Sequence, residues 1–134
     1  MAQRDVVFPP GRQALYELHR YSPAVRANGL LFVSGQVGSR EDGSPEPDFE
    51  AQVRLAFDNL KATLLAAGCG LDDIVDVTTF STDPEKQFET VLAVKDEIFP
   101  QAPYPNWTAL GVNWLAGFDF EIKVIAKLPA ASAD

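Results

Sequence analysis

This sequence contains few side chains that could bind a metal or act as nucleophiles. Their small number excludes several classes of catalytic and metal site. The chain has one histidine, His19, and one cysteine, Cys69. A lone histidine removes most His-dependent metal sites and catalytic triads, and no histidine lies near Ser34 in sequence to activate its hydroxyl. A lone cysteine excludes an internal disulfide and a cysteine-based zinc cluster. We therefore expect no metal and no cofactor, and we expect Cys69 to be a small buried residue.

Glu121 lies in the segment whose side chains alternate most clearly between apolar and polar. One side of that segment carries Phe118, Phe120, Ile122 and Val124, and the other carries Asp119, Glu121 and Lys123. A glutamate works as a general base near neutral pH only when burial raises its pKa. Spacing alone favours a different interpretation, an exposed carboxylate that pairs with Lys123 or Lys127.

The charge balance argues against a nucleic-acid partner. Eleven basic and nineteen acidic residues give a formal net charge of -8, which repels phosphate backbones. The basic residues form no patch, since the arginines are scattered among neutral or acidic neighbours, as at Arg12, Arg20, Arg26, Arg40 and Arg54. No apolar run has the length of a signal peptide or a membrane span. We therefore expect a cytoplasmic protein without a membrane segment.

The 134 residues contain neither a repeat nor a linker, so we predict a single domain over residues 1–134. Hydrophobic periodicity and turn signals predict the following elements. They are a strand at 6–8, an extended segment at 21–26, a hairpin turn at 28–29, a strand at 30–33 that ends in Ser34-Gly35-Gln36, a helix at 47–67, a strand at 74–80, a helix at 84–99, and strands at 106–115 and 118–127.

This order of elements predicts an α+β two-layer sandwich in which two helices back one sheet. Two helices can cover only one face of a sheet. The runs LLFV (30–33) and IVDVTTF (74–80) nevertheless carry apolar side chains on both faces. A second covered face without a third layer requires self-association, and we therefore expect an oligomer.

Several segments, in this order and spacing, resemble the RidA/YjgF family. The segment GLLFVSGQVG (29–38) resembles the family's strand with its SGQ motif, and DDIVDVTTF (72–80) resembles a later strand. The helix from Phe49 to Gly68 and the strand FEIKVIA (120–126) also resemble their family counterparts. The resemblance covers about residues 5–128. The amino-acid sequence of the segment YPNWTALGVNWLAGFDFEIKVIA (104–126) is most similar to the YjgH-like branch of the family.

The resemblance implies a chorismate-mutase-like fold, assembled as a homotrimer with a small-molecule cleft between each pair of adjacent subunits. In deaminase members of the family, these clefts hydrolyse reactive enamines and imines derived from amino acids. An arginine holds the substrate carboxylate, and a glutamate positions or activates water. The resemblance assigns Tyr21, Ser34 and Glu121 to the family's pocket tyrosine, the SGQ serine and the catalytic glutamate.

Three positions depart from the deaminase pattern. The family sequence Pro-Ala-Arg is Pro105-Asn106-Trp107 here, so Trp107 stands in place of the arginine. Leu92 stands where many deaminases have asparagine, and Ala109 stands where many have cysteine. An indole offers one N–H donor and no charge, whereas a guanidinium binds a carboxylate with two charge-assisted hydrogen bonds. These departures predict weak or absent 2-aminoacrylate deaminase activity and a flatter, more apolar ligand with a donor for Glu121. An aromatic wall beside one carboxylate could also hold a cation.

Several alternatives stay open at this point. A true deaminase would need another cation, from Arg20, Arg26 or a neighbouring subunit. Trp107 could fill the subunit seam instead of lining a pocket, and Trp114 is expected to pack. Some family members carry ribonuclease or translation-inhibitor labels, but the net charge disfavours that function here. The sequence neither supports nor excludes a holdase-like interaction protein.

Overall fold

A computed structural model describes residues 3–130, and in it six strands form one sheet with the order β1-β2-β3-β6-β4-β5. The elements are β1 Asp5–Val7, α1 Gln13–His19, β2 Ala24–Ala27, β3 Leu30–Val37, α2 Phe49–Ala66, a short 3-10 turn Leu71–Asp73, β4 Ile74–Ser81, α3 Pro84–Ile98, β5 Asn106–Gly111 and β6 Phe120–Lys127. Neighbouring strands are antiparallel except for the parallel pair β4 and β5. The predicted α+β class is confirmed.

Helices α2 and α3 form the layer that backs the sheet, with α2 packed across β3 and β6 and with α3 beside α2. Local features define both ends of α2. The Asp48 side chain accepts a hydrogen bond from the backbone N–H of Ala51 at 3.0 Å and caps the helix. Gly68 follows the helix with a φ of 78°, a conformation that favours glycine. The hairpin turn is also present, since Asn28 and Gly29 both have positive φ.

The prediction of two helices was incomplete, because a third, short helix, α1, lies between β1 and β2. Hydrophobic periodicity could not reveal α1, since none of its residues is buried. Hydrogen bonds from Arg12 hold α1 against the rest of the chain instead. The guanidinium of Arg12 donates hydrogen bonds to the Ser39 hydroxyl, to the backbone carbonyls of Ser39 and Arg40, and to Asn59 Oδ1, at 3.0–3.2 Å. His19 is the last residue of α1, and Arg20 caps it.

β5 is shorter than predicted. It ends at Gly111 and not near residue 115, in keeping with the weak strand preference of glycine. Trp114 consequently lies in the loop after β5 and is 73% exposed, so the expectation that it packs was wrong. On α3 the buried residues are Val91 and Val94, whereas Phe88 is 56% exposed.

The core lies between β3, β6 and β4 on one side and the two long helices on the other. β6 has the predicted alternation, with Phe120, Ile122 and Val124 fully buried against residues of α2 such as Phe57. Cys69 is buried at the edge of this core, as expected. The alternate residues of β6 therefore point to the face of the sheet that α2 and α3 do not cover.

That second face is apolar and open. Phe32 lies opposite Ile125, and Phe80 lies opposite Leu110 on the neighbouring strand. Phe32 is 41% exposed and Leu110 is 46% exposed. Monomeric proteins seldom leave a contiguous apolar patch of this kind uncovered.

We predict that the chain is a trimer in solution, because further copies would cover the open face of the sheet and the family resemblance implies that there are three subunits. Light scattering coupled to size-exclusion chromatography, at micromolar protein, should return three times the chain mass. Phe32→Glu places a charge on the open face without touching the core, and it should shift the mass towards the monomer. A monomeric mass for the unmodified protein would contradict the prediction.

Gln52 joins α2 to the beginning of β6 inside the core. It is 1% exposed, and its Oε1 accepts hydrogen bonds from the backbone N–H groups of Asp119 and Phe120 at 2.7 and 3.2 Å. Its Nε2 donates to the carbonyl of Glu46 at 2.9 Å. One side chain therefore satisfies three backbone groups.

We expect Gln52→Leu to lower the free energy of unfolding by about 2–4 kcal/mol. A buried polar group left without a partner costs about 1–3 kcal/mol, and of the three backbone groups only the Phe120 N–H makes a fully buried bond, so water can partly replace the other two. Urea denaturation measures the change. Gln101→Leu, at an exposed position, is the control and should leave the midpoint almost unchanged. Equal stability of the two variants would show that water replaces the glutamine.

Candidate functional site

Glu121 lies in the middle of the open face, on β6 between Val37 of β3 and Phe80 of β4. A shift in strand register between Val33 and Gln36 brings Gly35 against its carboxylate. A Cβ atom at Gly35 would lie 2.6 Å from both Cδ and Oε2 of Glu121. The side chain of Glu121 therefore occupies space that exists only because residue 35 is glycine.

Burial raises the pKa of Glu121 above its usual value, and the nearby charge of Lys123 offsets this only in part. Within residues 3–130 no salt bridge joins Glu121 to a lysine or an arginine. The pairing with Lys123 or Lys127 that spacing favoured is therefore absent from the described part of the chain. The Glu121 carboxylate is therefore half-buried and has no ion-pair partner in that part of the chain.

Tyr21 lies close enough to Glu121 for the two groups to interact electrostatically, and Ser34 supports the segment that carries Tyr21. The Ser34 hydroxyl donates to the carbonyl of Ser22 at 2.6 Å, and the Ser34 N–H donates to the carbonyl of Pro23 at 2.8 Å. These bonds fix the segment that carries Tyr21. Burial raises the pKa of Tyr21, and the neighbouring Tyr16 and the Glu121 carboxylate raise it further. Tyr21, Ser34 and Glu121 therefore form one group, with the Ser34 hydroxyl committed to the backbone.

A cleft of about 600 Å³ lies along α1. Tyr16, His19, Tyr21, Gly35 and Phe118 line it, whereas Glu121 and Ser34 are not among its lining residues. The rings of Tyr16 and Tyr21 meet edge to face, with centroids 4.9 Å apart. α1, which the sequence did not reveal, thus supplies part of the wall of a cleft that reaches Gly35, the residue packed against the Glu121 carboxylate.

Trp107 lies on the other face of the sheet. It pairs in register with Val77, and Val77 faces the helices, so the indole lies beneath α3. Its Nε1–H donates to the Thr79 hydroxyl at 3.3 Å. The ring of Phe99 meets it edge to face, with centroids 5.7 Å apart. The Lys95 ammonium lies 4.5 Å from the centre of the indole ring.

Leu92 and Ala109 lie on the same side of the sheet as Trp107. Ala109 pairs with Thr79 and follows Trp107 at the next position on the same face of β5. Leu92 is half-buried on α3, one turn before Lys95, and therefore on the same side of the helix. Within one chain the six predicted site residues thus form two groups on opposite faces of the sheet, one at Glu121 and one at Trp107.

Lys95 was missed by sequence reasoning. Nothing in the pattern of α3 distinguishes it from the other lysines of the chain. Its contact with Trp107 depends on the parallel register of β5 against β4 and on the packing of α3 over that edge. Of the arginines considered as substitutes for a cation at position 107, Arg26 is paired with Asp5 at 3.0 Å, and Arg20 is an exposed residue that ends α1.

The described residues, 3–130, contain no group of three or more His, Cys, Asp or Glu side chains that could hold a metal ion. Over the same residues, no helix combines the length and the apolarity needed to cross a membrane.

Comparison with known proteins gives a consistent set of relatives. A family model described as Endoribonuclease L-PSP matches residues 11–128. The RutC family protein YjgH of Escherichia coli is 71% identical over 129 residues, which cover 96% of this chain and 98% of that protein. A solved structure of protein YjgH superposes with a TM-score of 0.93 at 70% identity, and covers 97% of this chain and all of that one.

A more distant relative has a bound small molecule. The crystal structure of Escherichia coli TdcF with bound serine has a TM-score of 0.75 at 33% identity, and covers 81% of this chain and 88% of that one. TdcF is named as a candidate reactive intermediate deaminase.

The burial of Glu121 predicts a pH dependence that Glu121→Gln should remove. Because the folded state raises the pKa of Glu121, this group contributes stability that is fully present below its ordinary pKa and is lost as the pH rises through the raised value. The variant should therefore gain stability relative to the unmodified protein between about pH 4 and about pH 8. Unfolding midpoints measured over this range test it. Glu89→Gln, at an exposed position of α3, is the control, and identical pH profiles for all three proteins would contradict the prediction.

Proposed function

Because this chain belongs to the RidA/YjgF family, whose model carries the description endoribonuclease L-PSP, we propose that it is a homotrimer that binds a small molecule in clefts between its subunits. The bound molecule is either a ligand or the substrate of an altered reaction, and 2-aminoacrylate deamination is not the main activity. The observation that carries this proposal is the environment of Trp107. Where the family pattern has arginine, an indole packs under α3 with its single N–H donated to Thr79.

The trimer would complete the site. In one chain, the Glu121 group lies at the centre of the open face, and the Trp107 group lies on β5, the strand at one edge of the sheet. Packing the edge strand of one subunit against the open face of its neighbour would bring the two groups together. This assembly is supported by the apolar character of the open face and by the oligomeric nature of the family.

Each group would have a separate role in such a cleft. Glu121, half-buried and with a raised pKa, would accept a proton or hold a water molecule against the ligand. Tyr21 would form the edge of the cleft beside it. An indole cannot replace the paired hydrogen bonds of a guanidinium, and a lost hydrogen bond to a charged group is worth about 1.5–3 kcal/mol. A substrate that depends on a tightly held carboxylate would therefore react poorly.

A second candidate function is deamination of an enamine or imine with a different cation, in which case the protein would be a hydrolase. The name of TdcF and the serine bound to it favour this candidate. Arg26 suits it poorly, because that side chain is paired with Asp5.

The ribonuclease description of the family fits this chain less well, since a net charge of -8 opposes binding to a phosphate backbone. The cytoplasm is the compartment that we propose, as the sequence led us to expect.

Trp107→Arg should create some 2-aminoacrylate deaminase activity, whereas the unmodified protein should remain near background. The guanidinium would supply the two parallel hydrogen bonds to a carboxylate that the family pattern has at this position. Recovery should be partial, because Leu92 and Ala109 also differ from the deaminase pattern, and because the Lys95 ammonium, 4.5 Å from the present ring centre, would repel a second cation. A dehydratase-coupled assay measures the rate.

Trp114→Arg makes the same chemical change at an exposed position and is the matched control, with no gain expected. Robust turnover by the unmodified protein would overturn the proposed function. A folded, trimeric Trp107→Arg variant with no gain would show that more than one residue separates this cleft from a deaminase.

A further inference from the structure

We propose that Lys95 is the cation that binds the carboxylate of this protein's ligand, and that Trp107 positions it. The inference rests on the proposed function and deepens it, because it names the ligand class as a small monocarboxylate with an apolar body. Trp107 then acts through Lys95 and not by its own contact with the ligand.

The position of the Lys95 ammonium is defined by groups that are themselves fixed. It lies 4.5 Å from the centre of the Trp107 ring, within the range of a cation–π contact. The indole in turn is held by its hydrogen bond to Thr79, which is 2% exposed, and by the ring of Phe99. A lysine on a free surface samples many rotamers, whereas this one rests on a rigid aromatic platform.

The ammonium is also not neutralised by a carboxylate of its own chain. Within residues 3–130 no acidic side chain forms a salt bridge to Lys95, although acidic residues outnumber basic ones by nineteen to eleven. The nearby Glu97 is held by Arg54, at 2.8 and 3.2 Å. An ammonium has three N–H donors, and an aromatic face satisfies only one side of it. The remaining donors are therefore free for an acceptor from outside the described chain.

The neighbours of Lys95 define the remainder of the ligand. Leu92 lies one turn earlier on the same side of α3, and Ala109 lies beyond Trp107 on the same face of β5. Ala109 is small and exposed, so it leaves space above the strand. An anion that binds here would meet one point charge and an apolar wall. That combination fits a monocarboxylate with a short hydrocarbon body.

The test is a titration of the intact protein with butyrate and with its uncharged isostere butyramide. The Trp107 indole N–H resonance reports binding in nitrogen-15 labelled protein, and a Trp114→Phe variant assigns the two indole signals. We expect butyrate to shift the Trp107 signal at millimolar concentration and butyramide to leave it unchanged. Lys95→Met should weaken butyrate binding at least about fivefold, and Lys95→Arg should retain it.

Two controls separate a binding role from a structural one. Lys86→Met removes an ammonium from the same helix at a position where the side chain is 85% exposed and lies 3.8 Å from Asp83, and it should bind butyrate normally. Trp107→Phe keeps an aromatic face under Lys95 and should retain most of the affinity, whereas Trp107→Leu should lose it. Circular dichroism shows that each variant is folded.

Equal butyrate affinity in the unmodified protein and in Lys95→Met would overturn the proposal. So would equal binding of butyrate and butyramide, or no butyrate binding by the folded trimer. These outcomes are distinct from failure of the proposed function. Robust deamination by the unmodified protein would overturn the proposed function, and Lys95 would survive as the cation only if Lys95→Met then abolished that turnover.

Discussion

The two long helices cover only one face of a six-stranded sheet. Alternate residues of the central strand β6 therefore face either the core beneath the helices or the uncovered side of the sheet. Phe120, Ile122 and Val124 enter the core that α2 seals. Glu121, one residue along, enters a face that the described chain leaves open. A carboxylate on such a face would ordinarily be fully hydrated. It is half-buried here because β3 shifts register at Gly35 and because Ser34 holds the Tyr21 segment over it. The site therefore depends on the same alternation that builds the core.

Elements whose stability comes from buried apolar side chains were predictable from the sequence, and elements held by long-range polar contacts were not. Apolar residues at spacings of three and four predicted α2, and apolar residues at every second position predicted β6. α1 has no buried residue, and Arg12 fixes it to groups 27 to 47 positions away. Local sequence patterns do not predict a side-chain contact between residues so far apart in the chain. The part of the cleft wall that α1 supplies therefore could not be predicted from the sequence.

The candidate site shows the same division. The family resemblance assigned Glu121, Tyr21 and Ser34 to one pocket, and in the structure Tyr21 lies near Glu121 while Ser34 holds the segment that carries Tyr21. The same resemblance assigned Trp107 to that pocket as well, but register with Val77 puts the indole on the other face of its own subunit. Strand register is a tertiary property, set by how β4 and β5 align. The face of the sheet on which Trp107 lies therefore could not be predicted from the single sequence.

Moving a cation from strand β5 to helix α3 changes what a cleft can recognise, even if the charge is conserved. A guanidinium presents a planar fork that fixes both oxygens of a carboxylate and hence the orientation of the ligand. An ammonium over an indole presents a point charge that one oxygen can satisfy, so the ligand body can rotate about that contact. Orientation must then come from shape, that is, from the apolar side chains around Lys95. A cleft of this kind would tolerate more varied carboxylates while holding each of them less rigidly. Catalysis of a reaction that needs a fixed angle between the ligand and the Glu121 carboxylate would suffer more than binding itself.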